Sequence, residues 1–348
     1  MNILTYALSG LLNAPKNILY RTINKPLKPR MIWLNVTDKC NSKCLHCSIW
    51  KQKPTEDPLT PEEIYVMLLS PVFNKLQTIV NTGGECTLRS DLVEIIIAEH
   101  TALPKAKLII STNGLLPERV VSAVKRLKDV GIKVSVGVSL DGVGSNHDLA
   151  RGVHGNFDKV VQLLSRLEDV ELNVPFVLSD LTVDSIGEVR ECVKGFGKDI
   201  AFNVLQCNDA EYYHNEEQPN LQKDKMVKAV EGLVLSEAGG LLAKNAWLKW
   251  LRGKPIKFQC FALQTSCAVK CNGDIVPCLS MWESAVGNIR RNSVEEIWSG
   301  DSAREKRQLI KQCPGCLNWC SVGESYYAAF YPYLEYLKHP RAIIEAIR

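Results

Sequence analysis

The chain has 348 residues, 46% of them hydrophobic and 23% charged, which is the profile of a folded globular protein and excludes a disordered one. A formal net charge of +4 is too small to imply a nucleic-acid partner. Thirteen cysteines, an odd number at tight local spacings, argue against a disulfide framework and for metal ligation in a reducing cytoplasm.

The apolar stretch at the amino terminus has no basic residue ahead of it and is interrupted at Asn13 and Pro15, which speaks against a signal peptide. No apolar run reaches the length of about eighteen residues that a membrane span needs. Within 1–30, Ile18, Leu19, Tyr20 and Ile23 are interleaved with Lys16, Arg21, Lys25, Lys28 and Arg30. Such an amphipathic segment either docks on the protein's own core or makes a peripheral contact with a membrane surface. Both readings stay open.

From residue 31 a simple rhythm appears. Short β-branched runs are expected as strands at 31–36, 76–82, 107–112, 133–139, 172–178 and 200–205. Stretches with helical spacing lie between them at 61–69, 91–102, 117–130, 157–167 and 184–196. Near-continuous apolar strands alternating with helices imply an α/β fold with a parallel sheet covered by helices. Six such units over 31–207 fit a partial (β/α)6 TIM-like barrel, with an open doubly wound sheet as the alternative. The residues leaving the first four strands decide between them. They are Thr37-Asp38-Lys39-Cys40, Gly83-Gly84-Glu85, Asn113-Gly114 and Leu140-Asp141-Gly142. Polar or glycine-rich ends on successive strands place the chemistry around the C-terminal rim of a barrel. An open sheet would concentrate it at one switch point.

Cys40, Cys44 and Cys47 fall within eight residues on the loop after the first strand. Three thiolates can close around a [4Fe–4S] cluster and leave one iron without a protein ligand, open to a small bidentate molecule. A zinc site would ask for a fourth ligand; His46 is a candidate on paper, but it adjoins Cys47 and is poorly placed to share the same ion.

This CxxxCxxC loop resembles that of the radical S-adenosylmethionine (SAM) superfamily, with His46 at the usual aromatic position. The resemblance extends over 31–205 and implies that Cys40, Cys44 and Cys47 hold the cluster. Gly83-Gly84-Glu85 resembles the family's GGE motif, which receives the methionine amino group of SAM, although Cys86 stands where proline is usual. Ser139 and Asp141 resemble the residues that bind the ribose, and Arg151 in His147-Asp148-Leu-Ala-Arg151-Gly152 resembles the arginine that pairs with the SAM carboxylate. Asn113, at the end of strand three, joins these cofactor-facing candidates by its place on the rim.

Residues 208–258 read as a connector with helices near 223–235 and 241–250. From 259 to 325 the chain becomes glycine-bearing and cysteine-dense and reads as a separate small domain organised by metal. The glycine turn in Cys271-Asn-Gly273-Asp-Ile-Val-Pro-Cys278 is expected to form a hairpin that aims Cys278 toward Cys260. Cys313-Pro-Gly-Cys316-Leu-Asn-Trp-Cys320 follows. This region resembles the SPASM and twitch extensions of the same superfamily, which carry auxiliary [4Fe–4S] clusters. No cysteine follows Cys320, so one auxiliary cluster is expected. The twitch-like ligand set is Cys260, Cys278, Cys313 and Cys316; a SPASM-like one recruits Cys267 and Cys320. Zinc held by four of these thiols is the alternative. Cys192, Cys207 and Cys271 read as ordinary cysteines. Residues 326–348 read as an aromatic and basic C-terminal helix.

The resemblance implies reductive cleavage of SAM to a 5′-deoxyadenosyl radical that takes a hydrogen atom from a substrate: a peptide, sugar, small metabolite or lipid-linked molecule. An electron donor of the flavodoxin or ferredoxin class is implied with it. Only thirty residues precede the barrel, so no appended domain for a leader peptide is expected. Cys86, Cys207 and Tyr212 are candidate hydrogen donors near the rim, although a structural role suits each of them better. The competing class is a zinc or iron–sulfur binding module without catalysis, against which Glu85, Ser139, Asp141 and Arg151 weigh.

Overall fold

A computed structural model describes residues 3–179, 181–196, 200–204, 223–232, 238–254, 259–313, 325 and 328. Cys207, Tyr212, Cys316, Cys320, the polar connector 208–222 and the C-terminal segment 326–348, apart from Ala328, lie outside them.

The rhythm of the sequence maps onto strands β1 (Met31–Asn35), β2 (Thr78–Thr82), β3 (Lys107–Thr112), β4 (Val134–Val138), β5 (Glu171–Leu178) and β6 (Ile200–Val204). Between them run α2 (Pro61–Leu68), α3 (Leu92–Ala102), α4 (Pro117–Asp129), α5 (Ser145–Arg151), α6 (Asn156–Ser165) and α7 (Ile186–Lys194). All six strands are parallel and neighbours in space follow chain order. An unreversed order has no switch point, so the sheet is the partial (β/α)6 barrel and not the doubly wound alternative.

Successive buried residues along the strands pack on alternate sides, as a barrel requires. Ile32, Leu34, Ile79, Leu108, Ile110, Val136 and Val138 face the helices in one large core. Trp33 and Val80 point to the other side, where they pack with Ala268, Val276, Leu279 and Trp282. Each fully buried aliphatic side chain of this kind contributes about 1.5–3 kcal/mol. The helices begin where the sequence signals them: α2 has Pro61 in its first turn and a reciprocal Thr60–Glu63 capping box. Within the barrel one helix escaped the periodicity: α5 is a short element between Gly144 (φ 56°) and the left-handed Gly152 (φ 65°).

After α8 (Lys223–Glu231) and α9 (Ala238–Leu251) come β7 (Ser266–Val269), β8 (Asp274–Val276) and β9 (Gly287–Asn288), then α10 (Val294–Ser299) and α11 (Asp301–Lys311). The expected hairpin is present: β7 and β8 are antiparallel around Gly273, whose φ of 92° demands glycine. Its placement is a finding of the fold. β7 pairs in parallel with β1, from Met31 opposite Ser266 to Leu34 opposite Val269. The cysteine-dense region therefore extends the barrel's own sheet, in the order β6-β5-β4-β3-β2-β1-β7-β8-β9.

The amino-terminal segment is helix α1 (Ile3–Thr22), which continues through Pro15. The expected break does not occur. Ala14 and Asn17 are buried and Arg21 half-buried along one face, and this docking offsets the hydrogen bond that proline cannot give. No helix among the described residues is long and apolar enough to cross a membrane.

Candidate functional site

The loop that leaves β1 carries Cys40, Cys44 and Cys47 and is clasped from two sides. From β2, Gly84 N donates to Thr37 O at 2.7 Å and Glu85 N to Lys39 O at 2.8 Å. Here the two loops lie backbone on backbone. A Cβ at Gly83 would stand 2.2 Å from Thr37 O, and one at Gly84 would stand 2.2 Å from Lys39 O. The glycines are thus required by the neighbouring loop itself. From the end of α5, Lys43 N donates to Arg151 O (3.1 Å), Leu45 N to Ala150 O (3.1 Å) and the Ser42 hydroxyl to Arg151 O (2.8 Å). Gly152 completes the grip, since a Cβ there would meet Lys43 O at 2.4 Å.

Glu85 is buried and its carboxylate braces the rim. Oε1 accepts from Thr87 Oγ1 (2.6 Å), Thr112 Oγ1 (2.8 Å) and Thr87 N (3.2 Å), while Oε2 accepts from Asn113 N (2.7 Å). Burial raises its pKa and these donors oppose the rise. Asn113 passes the brace on, because its Nδ2 donates to Asn41 Oδ1 in the cysteine loop at 2.9 Å. Cys86 is fully buried behind this motif and donates to Ser111 O at 3.2 Å, so the thiol in place of proline is a packed structural group.

Asp141 and Arg151 form a buried pair. Arg151 Nε stands 2.7 Å from Asp141 Oδ2, with exposures of 8% and 0% for the two side chains. The close approach is an ion pair at an angle poor for hydrogen bonding, since neither atom counts as hydrogen-bonded. Asp141 Oδ1 accepts from Val177 N at 2.7 Å, which ties β4 to β5. Arg151 Nη1 also reaches 3.9 Å from Cys44 Sγ. Burial pulls the Arg151 pKa down, but Asp141 and the Cys44 sulfur outweigh it and hold it above the usual value. Ser139, the residue after β4, is half-exposed.

A further network joins the pieces. Asp141 N donates to His147 Nδ1 (3.0 Å), which leaves the proton on Nε2 to be donated to Asn156 Oδ1 (3.1 Å). Asn156 Nδ2 then donates to Asn113 O at 3.1 Å. Burial, then the Arg151 charge, push His147 down to about 4, so it stays neutral. Asn41, Thr112 and Asn156 were not found from sequence. Each is a polar residue at the end of an element, with no local spacing that marks it.

Among the described residues, no group of three or more His, Cys, Asp or Glu side chains is placed to hold a metal ion. Cys44 is buried, and Cys40 and Cys47 are half-buried against the Trp33 and Trp282 cluster. Burial raises Cys40 to about 11 and Cys47 to about 12. A cationic iron–sulfur core would supply the charge that thiolates there require. Burial, then the Arg151 charge, lower His46 to about 4.

In the second region Cys260 and Cys313 are half-buried, while Cys267, Cys271 and Cys278 are buried. Burial raises Cys260 to about 11 and Cys267 to about 12. Cys267 lies on β7 opposite Ile32. Cys271 donates its thiol hydrogen to Asp38 Oδ2.

Comparison with known proteins agrees with this architecture. The model of the Radical SAM superfamily matches residues 34–199, and that of an iron–sulfur cluster-binding domain, SPASM, matches 260–318. The Fe-coproporphyrin III synthase of Methanosarcina barkeri is 26% identical over 86% of this chain and 83% of its own. The pre-heme d1 synthase of Dinoroseobacter shibae is 22% identical over 85% and 81%. Among solved structures, anSMEcpe with bound AdoMet superposes with a TM-score of 0.64 at 20% identity, over 91% of this chain and 99% of that one.

Proposed function

Because the chain belongs to the radical SAM superfamily and carries a SPASM domain, we propose that Cys40, Cys44 and Cys47 hold its SAM-cleaving [4Fe–4S] cluster and that Arg151 and Ser139 orient the SAM. The clasped loop carries this reading: residues 83–85 on one side and 150–152 on the other hold the backbone that bears the three thiols, which supports a fixed placement of them.

When bound, the cluster supplies the electron that cleaves SAM to methionine and a 5′-deoxyadenosyl radical, which takes a hydrogen atom from the substrate. The chain's own residues do the rest. Gly83 and Gly84 offer backbone to the methionine amino group, while Glu85 holds that loop against β3. Arg151 presents its guanidinium beside Cys44, where a carboxylate can be received. Asp141 acts through Arg151 and Val177 as a positioning residue, and Ser139 reaches the ribose. The aromatic and aliphatic cluster around Trp33 and Trp282 keeps water and stray hydrogen donors from the barrel interior.

The substrate we propose is a porphyrin-type small molecule. Two relatives that align over more than four-fifths of both chains are synthases of Fe-coproporphyrin III and pre-heme d1. A peptide is the second reading, favoured by the fold shared with peptide-bound structures such as SuiB of Streptococcus suis with its precursor SuiA. Electrons come from a flavodoxin or ferredoxin in a reducing cytoplasm. One auxiliary cluster, held by Cys260, Cys278, Cys313 and Cys316, with Cys267 and Cys320 as alternates, accepts an electron or helps bind substrate. Leu12, Leu19 and Ile23 are exposed on α1 and just beyond it, beside Lys16 and Lys25, which supports a peripheral membrane contact; failure to sediment with anionic liposomes at low salt would remove that part.

The test is anaerobic reconstitution followed by dithionite and SAM. Release of 5′-deoxyadenosine that vanishes in Cys44→Ala supports the central reading, whereas a colourless protein holding only zinc ends it. A coproporphyrin-class compound should accelerate the cleavage; acceleration by a peptide alone would move the substrate to the second class.

A further inference from the structure

The amino-terminal helix carries a cation to the second cysteine region. Ala14, Asn17 and Arg21 share one face of α1 at helical spacing. Asn17 Nδ2 donates to Ala328 O at 3.3 Å. Arg21 Nε donates to Cys260 O at 3.0 Å, and its Nη2 donates to Lys311 O at 3.4 Å. The guanidinium lies over the Phe261 ring, 5.7 Å from its centre. In return Lys311 Nζ donates to Thr22 O at 3.0 Å. One side chain thus bridges the residue that bears the Cys260 thiol and the helix end two residues before Cys313.

Both thiols feel its charge. Cys260 and Cys313 are close enough to Arg21 to interact with it electrostatically, and they partly offset the loss that burial imposes on its pKa. The next residue along, Phe261, donates its backbone N–H to the Ser325 hydroxyl at 2.8 Å. A fixed cation beside the ligand segments is one means by which a protein sets the potential of an iron–sulfur cluster.

We infer that Arg21 is a positioning and charge-compensating residue of the auxiliary cluster site, so that α1 is a part of that site. The inference rests on the reading of Cys260 and Cys313 as cluster ligands. A cluster held by thiolates carries net negative charge and gains one more on accepting an electron. A guanidinium between two of its ligand segments favours the reduced form and holds those segments at a fixed separation.

The experiment uses the full chain in a Cys40→Ala, Cys44→Ala, Cys47→Ala background, so that only the auxiliary cluster is reconstituted. Iron per chain and the midpoint potential, followed by electron paramagnetic resonance, are measured for Arg21→Gln, Arg21→Lys and Asn17→Ala. Arg21→Gln is expected to shift the potential downward or to lose the auxiliary iron. Arg21→Lys, which keeps the charge, is expected to fall between Arg21→Gln and the parent. Asn17→Ala, which loosens the same helix without altering its charge, is expected to match the parent. An Arg21→Gln protein with the parent's iron and potential overturns the inference, and so does an Asn17→Ala protein that reproduces the Arg21→Gln change. Should Arg21→Gln fail to fold, Arg21→Met, which keeps the buried stem, carries the same comparison. Cys260→Ala and Cys313→Ala separate the two levels. If they retain the auxiliary iron, the ligand reading falls and takes this one with it. If they lose it while the Arg21 variants behave as the parent, only the role of Arg21 falls.

Discussion

The Cys271 thiol donates to the Asp38 carboxylate across 3.0 Å, joining positions 233 residues apart. Asp38 opens the loop of Cys40, Cys44 and Cys47, and Cys271 sits in the turn after β7, so this contact ties the two cysteine-bearing regions together. Asp38 is held as well by Thr55 Oγ1 at 2.6 Å and Asn35 Nδ2 at 3.1 Å. Burial, then the Asp38 charge, raise the Cys271 thiol to about 12, so it remains a donor.

Cys271→Ala should therefore cost about 1.5–3 kcal/mol of stability, the worth of a hydrogen bond to a charged partner. The auxiliary iron should be unchanged, because the sulfur is already committed to Asp38. Denaturant titration and iron analysis of the reconstituted variant check both halves. Loss of the auxiliary iron alone would make Cys271 a ligand.

Gly84→Ala tests the clasp. Its Cβ has no room against Lys39 O, so the loop from β2 must move off the cysteine loop. Overpacking of this kind costs about 1–3 kcal/mol. The sharper expectation is selective: N-terminal cluster iron falls while auxiliary iron stays. Equal loss of both would point to global unfolding.

Asp141→Ala leaves Arg151 buried without its partner. Breaking a buried pair costs about 3–5 kcal/mol, and the guanidinium is freed to swing from its position beside Cys44. SAM binding, measured by calorimetry on the reconstituted enzyme, should weaken at least tenfold. Unchanged SAM affinity in a folded Asp141→Ala protein would deny the pair any part in positioning.

Glu99 gives a pH signature remote from the cysteines. It is fully buried on α3, where Asn81 Nδ2 donates to its Oε2 at 2.9 Å. Burial raises its pKa to about 8, against the lowering effect of Asn81. The folded state thus holds a proton that the unfolded chain releases near the ordinary value of 4.5. Stability from this group is complete below that value, declines as pH rises, and is gone above about 8. Glu99→Gln should remove that decline and be the more stable protein at pH 9, by a few kcal/mol in order of magnitude. Parallel stability curves for the two proteins between pH 5 and pH 9 would contradict the assignment.

What the sequence reveals is local. The spacing of Cys40, Cys44 and Cys47 was legible because thiols a few residues apart on one loop can meet around one group whatever surrounds them. The strand and helix rhythm of 31–204, the rim position of the polar strand ends and the turn at Gly273 were legible for the same reason: each depends on neighbours in the chain. Glu85 and Asp141 were expected as site residues from their motifs, yet nothing in their neighbourhood said that their carboxylates would be occupied by Thr112 and Asn113, or by Val177 and Arg151.

Tertiary structure alone decided these partners. The parallel sheet brings successive strand ends to one rim, so loops tens of residues apart touch backbone to backbone, and only there do Gly83, Gly84 and Gly152 become obligatory. The pairing of β7 with β1 and the docking of Arg21 on Cys260 span more than 200 positions. Contacts of that range leave no periodicity in the sequence, because each is fixed by how two separately folded surfaces fit and not by the order of residues along either one.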